Sequence, residues 1–417
     1  QTIGFCNKCI CYSSLFESSS TKHPIYLWIF RSRNTRFQNE LGYRSKQTVI
    51  MNNIARTIYT LLLLFVISSC DDPAGPVGQA YDRSSMLEFT AKQTIIPLYE
   101  DIHEAAKRFD STLQVFAISQ SNENLQKLRD QWRVLAFSWQ YVVMFDFGPA
   151  QMNDGSLFQN IGTFPVSVDK IESYINVKDT TFKNFDRDSR GIYALEYLIF
   201  KDSNTTIQAF VDQPFRVAYA KAISRYIVKR IETVLNQWQG SFSISFIDND
   251  GTQAGSSISD LYNSFVYQYE IMKNYNLGLP MGKRAGQTTS ESMKVEGYYS
   301  CYSTSLLLAK YEAIRNLWFG YARLSLLSSL SAKGFKDYLY TVENGPRLIT
   351  DTEEQWNRIG TVLQTIDTNL PLQHMISTKD PRLEQLYLEM TKHTRFIKSE
   401  MSSLLGISIT FSSSDGD

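Results

Sequence analysis

The spacing of apolar residues constrains the fold of this chain more than any other feature. From about residue 85 onward, apolar side chains recur at every third or fourth position, as in Tyr99, Ile102 and Phe109. This period places them on one face of an amphipathic α-helix. Strand-like segments do not alternate with the helical ones, which argues against an α/β fold. The sequence therefore predicts an all-α protein.

A Ser- and Gly-rich stretch over 239–257 divides the helical part into two halves of similar size. We expect helices at about 167–176, 188–201, 214–238, 257–277, 298–330, 351–369 and 380–404. Long apolar helices on both sides of the boundary predict two packed helical bundles. Residues 241–246 and 407–411 alternate polar and apolar side chains, which predicts short strands that could pair as a minor hairpin.

The segment that begins at Met51 has the pattern of a bacterial lipoprotein signal peptide. Arg56 supplies a positive charge, an apolar run with four consecutive leucines follows, and Ile-Ser-Ser precedes Cys70. The apolar run is about eleven residues long, whereas a membrane-spanning helix needs about 20. We therefore predict a signal peptide over 51–69, a lipid on Cys70 and a linker over 70–86.

Residues 1–50 contain no methionine and no clear apolar period. We interpret them as an upstream segment that is not translated. The alternative is a genuine cytosolic extension, which would leave the signal peptide inside the chain. A lipid on Cys70 would anchor the protein in the bacterial cell envelope, on the periplasmic or surface face of the outer membrane. Residues 87–417 would then form the functional domain.

Charge and histidine content argue against two classes of protein. The chain has 42 basic and 42 acidic side chains, of which residues 1–70 hold eight and two, so the remainder is mildly acidic. An acidic body without a long basic run argues against a nucleic-acid partner. Only three histidines follow Cys70 and no two lie at helical spacing, which would be unusual for a zinc enzyme. His393 follows Glu389 by one turn, which favours a surface ion pair.

Two segments contain polar side chains in unusual surroundings. Glu196 is the one charged residue in the apolar segment 192–200, and Tyr193 lies one turn earlier on the same face. A carboxylate in an apolar helix must find a partner, reach solvent or shift its pKa. The alternative is a glutamate at the helix edge that pairs with an arginine. The second segment is rich in tyrosine and contains Glu296 and Ser300, of which Ser300 suits either a helix cap or a ligand role.

Several segments together resemble the imelysin family, bacterial envelope proteins that include a metallopeptidase. The resemblance extends in order over nearly all of residues 87–417, and includes the sequences IPLY, GIYALEYLIF, LPMGK and LGISITF. It implies an all-helical fold of two bundles related by an internal pseudo-symmetry. Many imelysin-like proteins are linked to iron uptake, so the resemblance also implies a role in metal uptake.

The signature of that family is GxHxxE, whose histidine and glutamate are proposed to bind a metal. Gly191, Tyr193 and Glu196 occupy its three positions here, so that tyrosine replaces histidine. A phenol is a poor zinc ligand at neutral pH because its pKa is near 10. Tyrosine and carboxylate oxygens suit ferric iron better. Asp146 and Glu296, from other matched segments, are further candidate ligands.

Three functions fit these residues. The first is a lipid-anchored protein that binds iron, an iron complex or another small ligand at Tyr193, Glu196, Asp146 and Glu296, without peptidase activity. The second is a metallopeptidase in which another residue supplies the missing histidine, and the third is a non-catalytic surface scaffold or adhesin. We favour the first, with iron rather than zinc as the metal. Its expected partners are the membrane, through the lipid, and an outer-membrane transporter.

Overall fold

The protein is built from helices. A computed structural model describes residues 80–152, 155–202, 205–321 and 333–411, and no strand is present in them. The all-α prediction is therefore confirmed. The predicted signal peptide, Cys70 and residues 1–50 lie outside the described residues. Within the described ranges, no helix combines the length and the apolar character needed to cross a membrane.

The first half of the described chain contains the three longest helices of the described residues. Its helices are α1 (Arg83–Phe89), α2 (Ile96–Ile118), α3 (Asn122–Val142), α4 (Leu157–Ile161), α5 (Val168–Asn176), α6 (Ile192–Phe200), α7 (Thr206–Asp212), α8 (Phe215–Gln239) and α9 (Ser241–Asp248). Helix α2 packs against both α3 and α8. Leu128, Trp132 and Leu135 of α3 are fully buried at the predicted three-to-four spacing.

The second half continues the same core. Its helices are α10 (Ser257–Ile271), α11 (Leu279–Met281), α12 (Ser303–Phe319), α13 (Phe335–Tyr340), α14 (Gly345–Gln364), α15 (Leu372–Ser377), α16 (Pro381–Arg395) and α17 (Met401–Leu405). Helix α14 packs against α16, and α12 packs against α3 of the first half. The contact between α12 and α3 forms a seam between the halves. The boundary predicted near 239–257 stays a prediction.

The predicted hairpin is wrong. Residues Ser241–Asp248 form helix α9, and no strand forms at 407–411. Phe242 and Phe246 lie one helical turn apart, and both pack on Trp238 with ring centroids 4.9 and 5.1 Å away. Ile244, between them, is 63% exposed. Three alternating apolar residues are compatible with a helix when the first and third pack against the core, as the partly buried Phe242 and the buried Phe246 do, and the second faces solvent.

Each half contains a π-helical segment that leads directly into a proline. Thr90–Ile95 precedes Pro97, at the second position of α2, and Met272–Gly278 precedes Pro280, at the second position of α11. Proline has no N–H, and its ring collides with the carbonyl one α-helical turn earlier. A wider π turn is one way to accommodate that residue without ending the helix. The repetition of this arrangement fits the expected pseudo-symmetry between the halves.

Candidate functional site

A glycine positions the start of helix α6, which carries the glutamate expected from the sequence. Gly191 has a φ of +90°, a conformation that side chains disfavour. A Cβ at this position would lie 2.5 Å from the backbone oxygen of Ile161. The indole N–H of Trp132 donates a hydrogen bond of 2.8 Å to the backbone oxygen of Ile192 and joins α6 to α3. The positive φ of Gly191 and the close approach of its backbone to that of Ile161 explain why glycine occupies the first motif position.

Tyr193 reaches across the seam to Glu296. Its hydroxyl donates a hydrogen bond to Glu296 Oε1, and the amide of Gln140 donates to the same oxygen at 2.9 Å. On the other side, the amide of Asn276 donates to Glu296 Oε2 at 2.5 Å. The ammonium of Lys310 lies 3.6 Å from that oxygen. Oε1 of Glu296 therefore has polar partners from the first half of the chain, and Oε2 has polar partners from the second half.

Glu196 holds the same loop at a second point. The backbone N–H of Ser300 donates a hydrogen bond of 2.7 Å to Glu196 Oε1. Burial raises the pKa of Glu196 to about 7; the hydrogen bond from Ser300 opposes the rise, and the negative charge of Glu296 adds to it. Loop 295–302 is therefore held through a side chain, that of Glu296, and through a backbone amide, that of Ser300.

We call Gln140, Tyr193, Glu196, Asn276, Glu296 and Lys310 the seam cluster, and none of these residues is more than 3% exposed. Burial raises the pKa of Tyr193 well above its ordinary value, and the charge of Glu296 adds to this shift. Burial also lowers the pKa of Lys310, against the opposing attraction of Glu296. The raised pKa keeps the phenol of Tyr193 protonated where it donates to Glu296.

The structure brings together three of the four predicted ligand residues. Tyr193, Glu196 and Glu296 lie in the seam cluster, and Glu196 takes a backbone amide rather than an arginine as its hydrogen-bond partner. Asp146 lies elsewhere: the hydroxyl of Ser156 donates to its Oδ2 at 2.5 Å, and the N–H of Phe158 donates to its Oδ1 at 3.2 Å. Asp146 thus holds the beginning of α4.

Ser300 does not cap a helix. Helix α12 begins at Ser303, and Tyr302 occupies its N-cap position. The hydroxyl of Ser300 accepts a hydrogen bond of 3.3 Å from the N–H of Tyr302 and donates one of 3.2 Å to the backbone oxygen of Gly297. These contacts shape the turn that presents the Ser300 N–H to Glu196.

Sequence reasoning missed three members of the seam cluster. Lys310 follows the apolar residues 306–309 of α12, but its signal was weaker than that of Glu196, because α12 also contains the charged residues Glu312 and Arg315. Gln140 and Asn276 had no comparable signal, because neutral amides are common on both exposed and buried helix faces.

His393 lies in the core, and the expected surface ion pair with Glu389 is wrong. The imidazole is 0% exposed, its Nδ1 lies 3.1 Å from the hydroxyl of Tyr269, and its ring centroid lies 4.5 Å from that of Trp356. Burial lowers the pKa of His393 to about 3, so the ring is neutral. Glu389 instead pairs with Lys392 at 2.7 Å. His393 faces inward with Met390, and only packing distinguishes this face from the charged one.

The donors of the seam cluster do not fit a catalytic zinc ion. Such a site usually has three protein ligands, mostly nitrogen or sulfur, and an open position for water. The cluster has no imidazole and no thiolate, and the phenol of Tyr193 donates its proton to Glu296. Throughout the described residues, no three His, Cys, Asp or Glu side chains are grouped so that they could hold a metal ion.

A second polar network adjoins α6, and we call its members Glu172, Tyr197, Lys201 and Arg216 the outer network. Tyr197 and Arg216 each donate a hydrogen bond to the carboxylate of Glu172. Lys201 donates to the hydroxyl of Tyr197 at 2.8 Å. The side chain of Glu172 is 25% exposed, in contrast to the glutamates of the seam cluster. The ring centroid of Tyr197 lies 5.2 Å from that of Tyr299, which belongs to loop 295–302.

Comparison with known proteins gives matches over most of the helical chain. The family model for imelysin matches residues 95–393. Iron-regulated protein A of Synechococcus elongatus is 22% identical over 163 residues. That match covers 39% of this chain and 42% of the relative, which is less than half of either protein.

Two crystal structures share the fold. A protein assigned as an iron-regulated protein A precursor, from Parabacteroides distasonis, has a TM-score of 0.66 and 16% identity, with 79% of this chain and 97% of that chain covered. An imelysin-like protein from Psychrobacter arcticum has a TM-score of 0.61 and 20% identity, with 80% and 98% covered. At these identities the likeness establishes the all-helical fold and no more.

Proposed function

The chain belongs to the imelysin family, and from this premise we propose that it is a lipid-anchored envelope protein that binds iron or an iron complex and lacks peptidase activity. Two relatives are described as iron-regulated protein A or its precursor, which supports a role in iron handling. The seam cluster is the proposed binding site. Its polar groups come from both halves of the chain and surround a carboxylate.

The hydrogen bond from Tyr193 to Glu296 is the observation that carries this proposal. In the family signature that position belongs to a histidine, whose nitrogen could bind zinc. Here the position holds Tyr193, whose protonated phenol donates its proton to the carboxylate of Glu296. Glu196, the remaining signature residue, accepts the N–H of Ser300. One carboxylate in this arrangement is poorly suited to hold zinc and to activate a water molecule.

The oxygens of Tyr193, Glu196 and Glu296 support iron as the cargo. Ferric iron is a hard ion that prefers oxygen ligands, and carboxylate and phenolate oxygens are of that kind. To bind at Tyr193, ferric iron must displace the phenol proton. Binding of this cargo should therefore release protons.

Metal analysis of protein purified without chelator tests this proposal. We expect bound iron, or saturable binding of Fe³⁺ supplied as its nitrilotriacetate complex, that weakens in Glu196→Gln while the circular-dichroism spectrum stays helical. Asp146→Asn is the matched control, because this carboxylate lies outside the seam cluster.

Other outcomes would favour the two competing functions. Bound zinc, together with zinc-dependent cleavage of unfolded proteins that disappears in Glu196→Gln, would show that the protein is a peptidase. Absence of any metal binding would favour a scaffold or adhesin.

Anchoring to the outer membrane through Cys70 is a separate part of the proposal. It is supported by the signal-peptide pattern from Met51 to Ser69. Cys70→Ala should release the protein from membranes or stall its processing, and Ser69→Ala is the control. If Cys70→Ala still fractionates with membranes and is trimmed as before, the anchor is wrongly assigned. An outer-membrane transporter is the proposed partner, which cross-linking in intact cells can test.

A further inference from the structure

Lys310 supplies a buried positive charge to the seam cluster. Its side chain is 0% exposed, and its ammonium lies 3.6 Å from Glu296 Oε2 and donates a hydrogen bond of 3.3 Å to Asn276 Oδ1. An ammonium that is withdrawn from water is strongly unfavourable unless it is paired and hydrogen-bonded. Both of these partners belong to the seam cluster, so the cluster compensates the buried charge.

The ammonium occupies the place that an added cation would favour. Glu296 Oε1 accepts hydrogen bonds from Tyr193 and Gln140, and the ammonium lies on the Oε2 side of the carboxylate. The amide of Asn276 donates from Nδ2 to Oε2, and its Oδ1, a second oxygen of the kind that hard cations bind, accepts from Lys310. Lys310 thus contacts a pair of oxygens that could otherwise ligate a metal ion.

We propose that Lys310 is an internal competitor for cations at the seam cluster, so that a cargo cation binds beside Glu296 only when the ammonium is displaced. The inference rests on the proposed function in one respect, because it takes the seam cluster as the place where the cation binds. Competition of this kind lowers affinity and makes release easier. That property suits a protein that passes iron to a partner more than one that stores it.

The same inference explains why histidine at position 193 would not be sufficient for zinc binding. A Tyr193→His variant regains the signature pair with Glu196, but the ammonium of Lys310 still lies beside Glu296. Two positive charges in one buried cluster repel each other strongly, because the dielectric response there is weak. We therefore expect zinc binding in the Tyr193→His/Lys310→Met double variant and none in Tyr193→His alone.

Lys310→Met is the decisive variant. Methionine keeps an unbranched stem but lacks the terminal ammonium, so it leaves space beside Glu296 Oε2 and frees Asn276 Oδ1. We expect Fe³⁺, supplied as its nitrilotriacetate complex, to bind about tenfold or more tightly than in the wild type, measured by competitive titration and by metal analysis after dialysis. Unchanged affinity would overturn the inference.

Two control variants separate this effect from the loss of any buried lysine. Lys398→Met removes a lysine whose ammonium lies 3.0 Å from the buried carboxylate of Glu270, and it should gain no cation affinity. The double variant Lys310→Met/Glu296→Gln removes both charges of the seam pair and should also gain none. A gain in Lys398→Met equal to that in Lys310→Met would show that the effect is not specific to the seam cluster.

A stability measurement keeps the test informative if Lys310→Met folds poorly. A cation that replaces the ammonium binds only the folded state, and so should raise the thermal midpoint of this variant, or restore its fold, more than that of the wild type. Absence of any such effect from Fe³⁺, Zn²⁺ or ammonium ions would overturn the inference.

Failure of the proposed function gives a different pattern of results. If the wild type binds no iron while Lys310→Met does, the inference stands and the iron-binding proposal fails. If the wild type binds iron and Lys310→Met binds it no more tightly, the proposed function stands and the inference fails. If neither protein binds a cation, both are wrong.

Discussion

The seam cluster and the outer network both adjoin helix α6, and each combines a glutamate, a tyrosine and a cation. In the outer network, burial disfavours ionised Glu172, but hydrogen bonds from Arg216 and Tyr197 outweigh it and lower the pKa of that carboxyl. In the seam cluster, burial dominates at Glu196 and raises its pKa to about 7. Two carboxyls against the same helix are therefore shifted in opposite directions.

The difference arises from the partners of each carboxylate and from access to water. Glu172 accepts from a guanidinium and keeps 25% of its side chain exposed. Glu196 is 2% exposed, accepts from a neutral backbone amide and lies near a second carboxylate, that of Glu296. A cationic donor with partial hydration stabilises an ionised carboxyl, whereas full burial near a like charge favours the protonated one. Under the function proposed above, a cation would replace the proton of Glu196 near neutral pH, where a carboxyl with this raised pKa titrates.

Removal of a cation from each region should give the largest contrast in stability. Lys310→Met leaves Glu296 buried without its cation, and we expect a loss of about 3–5 kcal/mol in the free energy of unfolding. Arg216→Met leaves Glu172 partly hydrated and should cost only about 1 kcal/mol. Urea unfolding in the presence of a chelator measures both. Equal losses would show that burial does not distinguish the two regions.

The two glutamates should make opposite contributions to the pH dependence of stability. The pKa of Glu196 is about 7 in the folded protein against an ordinary value of 4.5. As pH rises from 4.5 to about 7, Glu196 loses its proton in the unfolded chain before it does so in the folded protein, so wild-type stability falls. Glu196→Gln removes the titration, and its stability relative to the wild type should rise by up to about 1.4 kcal/mol per pH unit.

Glu172→Gln is the matched variant for that experiment. The pKa of Glu172 is lowered in the folded protein, so its ionised form stabilises the fold above the ordinary value of 4.5. The stability deficit of Glu172→Gln should be complete at neutral pH and should shrink as pH falls through the folded-state pKa. Chemical unfolding across the acidic to neutral range measures both slopes. Slopes of the same sign would contradict the comparison.

Removal of one hydroxyl from each region should give the smallest contrast. Tyr193→Phe takes a donor away from the fully buried Glu296, and we expect a loss of about 1–3 kcal/mol. Tyr197→Phe takes a donor away from Glu172, which retains Arg216 and water, so the loss should not exceed about 1 kcal/mol. Both variants keep their rings and most of their packing. A larger effect of Tyr197→Phe in thermal unfolding would reverse the proposed ranking.

Helices and the unusual character of Glu196 could be predicted from the sequence because both signals are local. A three-to-four apolar period requires burial of one helix face whatever the partner is, so α5 and α8 were expected close to their observed bounds. A charge inside an apolar helix is visible in a short window, as with Glu196. Over 241–246 the same local reasoning failed, because only three apolar residues alternate there, and so short a pattern suits both a strand and a helix.

The composition of the seam cluster depends on contacts between distant segments. Tyr193 and Glu296 are 103 positions apart, and Gln140 and Glu296 are 156 apart. Which of the buried polar residues meet is decided when α3, α6 and α12 pack, since each polar group must then find a partner from another helix. Periodicity specifies which face of each helix is buried. The choice of Lys310 as the cation and of Ser300 as the amide donor follows only from the packing of the two halves against each other.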